Sequence, residues 1–127
     1  MQIKGTFNVS QWQETTHVEA PRKMSSAKVQ YQLAGDIEGV TDIVYAMCYL
    51  SESQAVFQGV HQVSAIINGK KGTFAMLENG EFIAPATSGT WQIVKGSGTE
   101  ELTNIAGEGT FKAEHGGEMK YELNIRV

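Results

Sequence analysis

Apolar and polar residues alternate at every second position along much of this chain, and that period constrains its fold more than any other feature. The C-terminal stretch shows it most plainly. Met119, Tyr121, Leu123, Ile125 and Val127 alternate with Lys120, Glu122, Asn124 and Arg126. A strand sends successive side chains to opposite faces, so this stretch has one apolar face and one wet face. The same period runs through Ile3, Phe7 and Val9, through Val29, Tyr31 and Leu33, and through Ile43, Tyr45, Met47 and Tyr49. It covers Ala55, Phe57, Gly59, His61, Val63, Ala65 and Ile67 as well. No long 3.6-residue apolar period occurs, which excludes amphipathic helices as the main elements. Beside Ile43 to Tyr49, the intervening Val44, Ala46 and Cys48 are apolar too, which predicts a strand buried on both faces.

Turn chemistry divides the pattern. Asn68-Gly69 follows the longest alternating run, and both residues tolerate the positive φ of a tight hairpin turn. Asn79-Gly80 predicts a second such turn at the end of the next strand. Thr16 to Ser25 reads as the longest loop. Thr99, Glu100, Glu101 and Leu102 suit a helix start, with threonine as N-cap and two acids behind it. Gly107 limits that helix to one short turn. Gly107, Gly109 and Phe111 then fall on a seventh strand, and Met119 to Val127 form an eighth. Eight strands in a meander can make a sandwich or a barrel. Few edge-protecting devices are present, which favours closure. The expectation is a single all-β domain over residues 1–127, a mostly antiparallel eight-stranded β-barrel. Such a barrel is wide enough to fill with side chains or to hold one small ligand. Trp12 breaks the parity of Phe7 and Val9. A bulge near Ser10 or Gln11 would return it to the core face; otherwise it is exposed or covers a barrel mouth.

Fourteen acids against ten bases give a formal net charge of −4. That balance argues against a nucleic-acid partner, which calls for a basic patch. A single cysteine, Cys48, allows no internal disulfide and fits a reducing compartment. The N-terminal residues contain no signal-like apolar run, and no stretch approaches the roughly 20 apolar residues of a spanning helix. The expectation is a cytoplasmic protein with no membrane partner.

The order and spacing of several residues resemble those of domain-of-unknown-function family 3224, small and mostly bacterial proteins. The resemblance rests on Gly5-Thr6-Phe7 with Trp12 and Glu14, on Gly35-Asp36 with Gly39, and on Phe57, Gly59 and Gly72-Thr73-Phe74. It continues through Gly96-Ser97-Gly98-Thr99, Leu102, Ile105, Gly107, Gly109 and Phe111 to His115-Gly116. That family is similar in fold to the allene oxide cyclase and dirigent barrels, which hold an apolar small molecule in a lumen. The resemblance implies an allene oxide cyclase-like barrel. It does not imply cyclase activity, because no cyclase active site maps onto this chain and one fold hosts many functions.

Candidate site residues follow from face and chemistry. His61 shares a face with Phe57 and Val63, so it would be a polar group in an apolar lumen, able to orient a ligand or move a proton. Glu14 and Glu78 lie near strand ends, where a carboxylate at a barrel mouth can act as acid or base; an ordinary exposed acid is the plainer alternative. Trp12, Tyr45 and Trp91 would give the lumen apolar area with polar handles. Tyr31, Tyr49 and Tyr121 read more simply as core. His17, His61 and His115 have no zinc-like spacing, and His17-Val18-Glu19 is a weak signal, so no metal is expected. Gly96-Ser97-Gly98 lacks the helix a phosphate loop needs and reads as a tight turn, so no cofactor is expected. Cys48 reads as a small buried hydrophobe. Three functions remain open, in this order: a binding barrel for a small apolar ligand, a cofactor-independent isomerase or cyclase-like enzyme acting in the lumen, and a structural barrel with a filled core. Apolar residues on both faces of several strands make a homo-oligomer an expectation.

Overall fold

In a computed structural model, which describes residues 1–114 and 118–127, the alternating stretches form eight strands. They are β1 Gln2–Val18, β2 Lys23–Gly35, β3 Ile37–Ser51, β4 Gln54–Ile67, β5 Lys70–Ile83, β6 Ala86–Ile93, β7 Ala106–Glu114 and β8 Met119–Arg126. Each pairs antiparallel with the next, and β8 returns to β1, closing the barrel. His115 and the glycine after it lie outside the described residues. No helix among the described residues is long and apolar enough to cross a membrane.

The connections alternate between two ends, and the ends differ. At one end the β6–β7 connection carries a single 3₁₀ turn, Glu100–Leu102. It buries Leu102, and Ile105 just after it, among Phe74, Ile37, Ile67 and Ile125. Tyr121 ties the same end together. Its hydroxyl accepts from the Ile37 N–H at 2.9 Å and donates to the Ala34 carbonyl at 2.7 Å. Ile37, Ile67, Leu102, Ile105 and Ile125 at this end are fully buried. At the opposite end, β1 pairs with β8 only up to Phe7, opposite Met119. From Val9 onward β1 is held by β2 alone among the described residues. Among the described residues β1 thus has no β8 partner beyond Phe7.

Several expectations need correction. Thr16 to Ser25 is strand, with Thr16 opposite Ser25, and the connection shrinks to residues 19–22. The β-branched Thr15, Thr16 and Val18 suit an extended ribbon, which prolongs the hairpin. Asn79-Gly80 is not a turn. It lies inside β5, and the chain reverses instead at residues 84–85. Gly80 is there for space: a Cβ at that position would lie 2.5 Å from the Phe57 ring. Asn68-Gly69 does form the predicted turn, both residues having positive φ (51° and 77°). β3 is buried on one face only. Val44 is 59% exposed and stands in register with the exposed Val60 and Leu77. Cys48, on that outer side, is half-buried rather than buried. Thr99 occupies the N-cap position without capping, because its Oγ1 bonds Thr73 on β5.

Candidate functional site

Hydrogen-bonded register places most of the candidate residues on one girdle. Trp91 on β6 stands opposite Glu78 on β5, Glu78 opposite Gly59 on β4, and Gly59 opposite Tyr45 on β3. Tyr45 then stands opposite Ala27 on β2, and Ala27 opposite Glu14 on β1. All of these share inward parity, except that the β1 end is shifted by a bulge between Val9 and Gln11. Gly59 has no side chain for a mechanical reason. A Cβ there would lie 2.7 Å from two carbons of the Tyr45 ring, which instead lies across the vacant position.

Glu78 is mid-strand and buried, not a strand-end acid. Its Oε1 accepts the Trp91 indole N–H at 2.7 Å and lies 2.6 Å from His61 Nε2. The other ring nitrogen of His61, Nδ1, lies 2.9 Å from the Thr41 hydroxyl. Thr41, His61, Glu78 and Trp91 thus form one buried polar chain across four strands, as a buried polar group requires. A neutral His61 would accept from Thr41 and donate to Glu78; a protonated one would donate to both. Either way Glu78 Oε2 is left over. It is buried and has no hydrogen-bond partner among the described residues.

Above Glu78 lies a cavity of about 340 Å³. Among the described residues Glu78 is the one charged residue lining it, and His61 stands behind Glu78, outside the lining. The walls are aromatic: Phe7, Trp12, Tyr31, Tyr45, Tyr49, Phe57, Phe82 and Phe111. The size falls in the range of small-ligand pockets, and an apolar wall with few polar groups is their usual make-up. Tyr31 and Tyr45 share a hydrogen bond at 2.9 Å. Burial, then the Glu78 charge, pushes both phenols well above their ordinary value, so both stay neutral.

The mouth is organised by Glu14. Its Oε2 accepts from Ser25 at 2.7 Å and from the Tyr49 hydroxyl at 2.8 Å, and its Oε1 accepts the Trp12 indole N–H at 3.2 Å. Burial alone would raise this carboxyl. The three donors and the Lys23 charge outweigh it and hold the pKa below the usual glutamate value. Trp12 is 47% exposed and lines the cavity, its ring 6.2 Å from that of Tyr45. The bulge therefore returns Trp12 to the mouth, not to the core.

The six candidates split into two levels: Glu14 and Trp12 at the rim, and Tyr45, Glu78, His61 and Trp91 at the floor. Trp91 is fully buried beneath the cavity and stacks on Phe111 and Tyr121. Sequence reasoning missed Thr41, although it shares the parity of Ile43 and Tyr45. It also read Tyr31 and Tyr49 as plain core. His17 is exposed on β1 rather than in a loop, with Nε2 2.7 Å from Ser26 Oγ. Among the described residues no cluster of three His, Cys, Asp or Glu could hold a metal ion.

Residues 3–125 match the family described as "Protein of unknown function (DUF3224)". The chain belongs to that family. A crystal structure of a protein with unknown function from the DUF3224 family, from Shewanella oneidensis MR-1, superposes with a TM-score of 0.81 at 17% identity. The match covers 100% of this chain and 96% of that one, and at this identity it shows the common fold alone. No curated protein matches the chain.

Proposed function

We propose that this barrel binds one small, largely apolar molecule in the aromatic cavity, with a donor group of the ligand bonded to Glu78 Oε2. The observation that carries the reading is the unpartnered oxygen. A buried carboxylate oxygen without a donor is costly, and native structures rarely keep one without a purpose. Here it belongs to the one charged residue, among the described residues, that lines a mostly apolar pocket. A ligand that brings a donor would relieve that cost and bury its apolar body against the rings.

The test is calorimetric titration with a set of small aromatic probes on the wild-type chain and on Ala113→Trp, which places an indole in the rim beside the cavity. Saturable one-to-one binding that Ala113→Trp abolishes, with the strand circular dichroism unchanged, is the expected result. Binding that survives in the blocked variant would place the ligand elsewhere.

One observation favours a second reading, a cofactor-independent isomerase or cyclase-like enzyme acting in the lumen. Glu78 both lines the cavity and touches His61, which Thr41 holds in turn. In that reading Glu78 is the group that takes a proton, and His61 and Thr41 position it. Turnover of a bound compound, lost in Glu78→Gln while binding persists, would favour catalysis over simple binding.

A further inference from the structure

We propose that the ligand is an organic cation, a primary or secondary amine protonated at neutral pH and carrying an aromatic or branched apolar body. The proposal rests on the cavity reading above and names the ligand class. Three observations support it.

The first is the inventory of donors. The Trp12 indole and the Tyr49 hydroxyl both donate to Glu14, and the Trp91 indole donates to Glu78. Tyr31 and Tyr45 use one hydroxyl hydrogen on each other. Of the wall's own donors, two go to Glu14, one joins Tyr31 to Tyr45, and only neutral hydroxyls remain, the second of that tyrosine pair and Thr87. What the cavity offers besides is an acceptor, Glu78 Oε2. A carboxylate ligand would find neutral hydroxyls but no cationic donor on the lining, whereas an ammonium would find a carboxylate oxygen with no partner among the described residues.

The second is charge. Among the described residues no lysine or arginine lines the cavity, Glu78 lies at its floor, and Glu14 stands at its mouth. Lys23 offsets Glu14 at the mouth, so the charge inside is that of the floor carboxylate, and a low-dielectric pocket over it favours positive charge and repels negative charge.

The third is the walls. Aromatic faces carry negative potential and attract cations placed over them, most strongly where water is excluded. Tyr45 and Phe57 meet nearly at right angles, with centroids 5.6 Å apart, so two ring systems border the space beside Glu78 from different directions. The rim already uses this chemistry: the Lys23 ammonium sits 4.7 Å from the Tyr49 ring centroid.

The experiment is isothermal titration of the full chain at pH 7 with three probes of similar shape: 2-phenylethylamine, 2-phenylethanol and 3-phenylpropanoate. The amine should bind at least about tenfold more tightly than the alcohol, and the carboxylate most weakly. In Glu78→Gln the amine should fall to within about threefold of the alcohol. In Phe57→Leu, which keeps the carboxylate and removes a ring, the amine should weaken more than the alcohol does. This second variant keeps the test open if Glu78→Gln does not fold. If the alcohol binds as tightly as the amine, the cation proposal falls and the apolar cavity reading stands. If none of the three binds, both fall. A preference for amine that persists unchanged in Glu78→Gln would overturn the role given to Glu78.

Discussion

Replacing Glu78 by leucine and by glutamine separates the two jobs of its carboxylate. Oε1 satisfies two buried donors, the Trp91 indole and, through Nε2, His61. Leucine removes that acceptor and leaves both donors stranded in the barrel. A buried donor without a partner costs about 1–3 kcal/mol, so two cost about 2–6 kcal/mol. Removing Oε2, which has no partner in the native protein, returns part of this. The expected net loss for Glu78→Leu is about 2–4 kcal/mol. Glutamine keeps an oxygen for both donors, gives up the charge and exchanges the unpartnered Oε2 for an unpartnered NH2, one orphan for another, so Glu78→Gln should lose about 1 kcal/mol. Urea denaturation followed by circular dichroism at pH 7 measures both, provided the slope with denaturant is the same in each variant. Equal losses in the two variants would refute the division of labour between the two oxygens, as would a Glu78→Leu protein as stable as wild type.

Other perturbations follow from the same geometry. Gly59→Ala puts a methyl group into the Tyr45 ring and should cost about 1–3 kcal/mol in urea denaturation, with the Tyr45 ring resonances displaced. Trp12→Ala removes a half-exposed rim residue, so stability should change by about 1 kcal/mol or less while probe affinity falls several-fold in titration. Glu14 has a depressed pKa, so the stabilisation from its charge is present above the ordinary value of 4.5 and is lost as pH falls through the lower folded value. The Trp12 indole signal should move in that acid range, and should not do so in Glu14→Gln. Burial raises Tyr31, Tyr45, Tyr49 and Tyr121, the last to about 12. A raised value means this stability is complete below pH 10 and lost as pH climbs toward 12. Phenolate absorbance should therefore appear together with loss of the strand signal, and early ionisation of Tyr31 or Tyr45 in the folded barrel would contradict the burial assigned to them.

The strands were legible in the sequence because a period of two needs no tertiary information. His61, Val63, Ala65 and Ile67 alternate for one reason, a wet outside and a packed inside, and that reason is local. Closure of the barrel followed from the scarcity of edge-protecting devices on those strands. The site was half legible. Parity put His61 and Tyr45 on inner faces, side-chain chemistry singled out Trp91, and parity puts Glu78 inside too, with Phe74 and Met76 on its row. Exposure is the default expectation for an acid, and only the cross-strand donors on β4 and β6 make a buried one tolerable. Those contacts depend on register, which the alternation alone does not give. Asn79-Gly80 misled for a related reason. The pair has turn chemistry, yet the glycine serves the Phe57 ring of the neighbouring strand, and a neighbour in space is invisible to a reading along the chain. Val44 misled in the opposite direction, since an apolar residue on an outer face carries the same letter as one in a core.

The cavity and its floor can be watched directly through the two tryptophans, because Trp12 and Trp91 report the rim and the base of the same space. The measurement is a ¹H–¹⁵N spectrum of the two indole N–H groups during titration with 2-phenylethylamine, with Trp12→Phe used to assign them. Occupation of the cavity against Glu78 predicts that both signals move together and saturate at one equivalent, Trp91 through its bond to Glu78 and Trp12 through the ring passing beside it. Two indole signals that stay fixed, while amides on the outer faces of β3, β4 and β5 shift, would contradict the assignment of this cavity as the binding site.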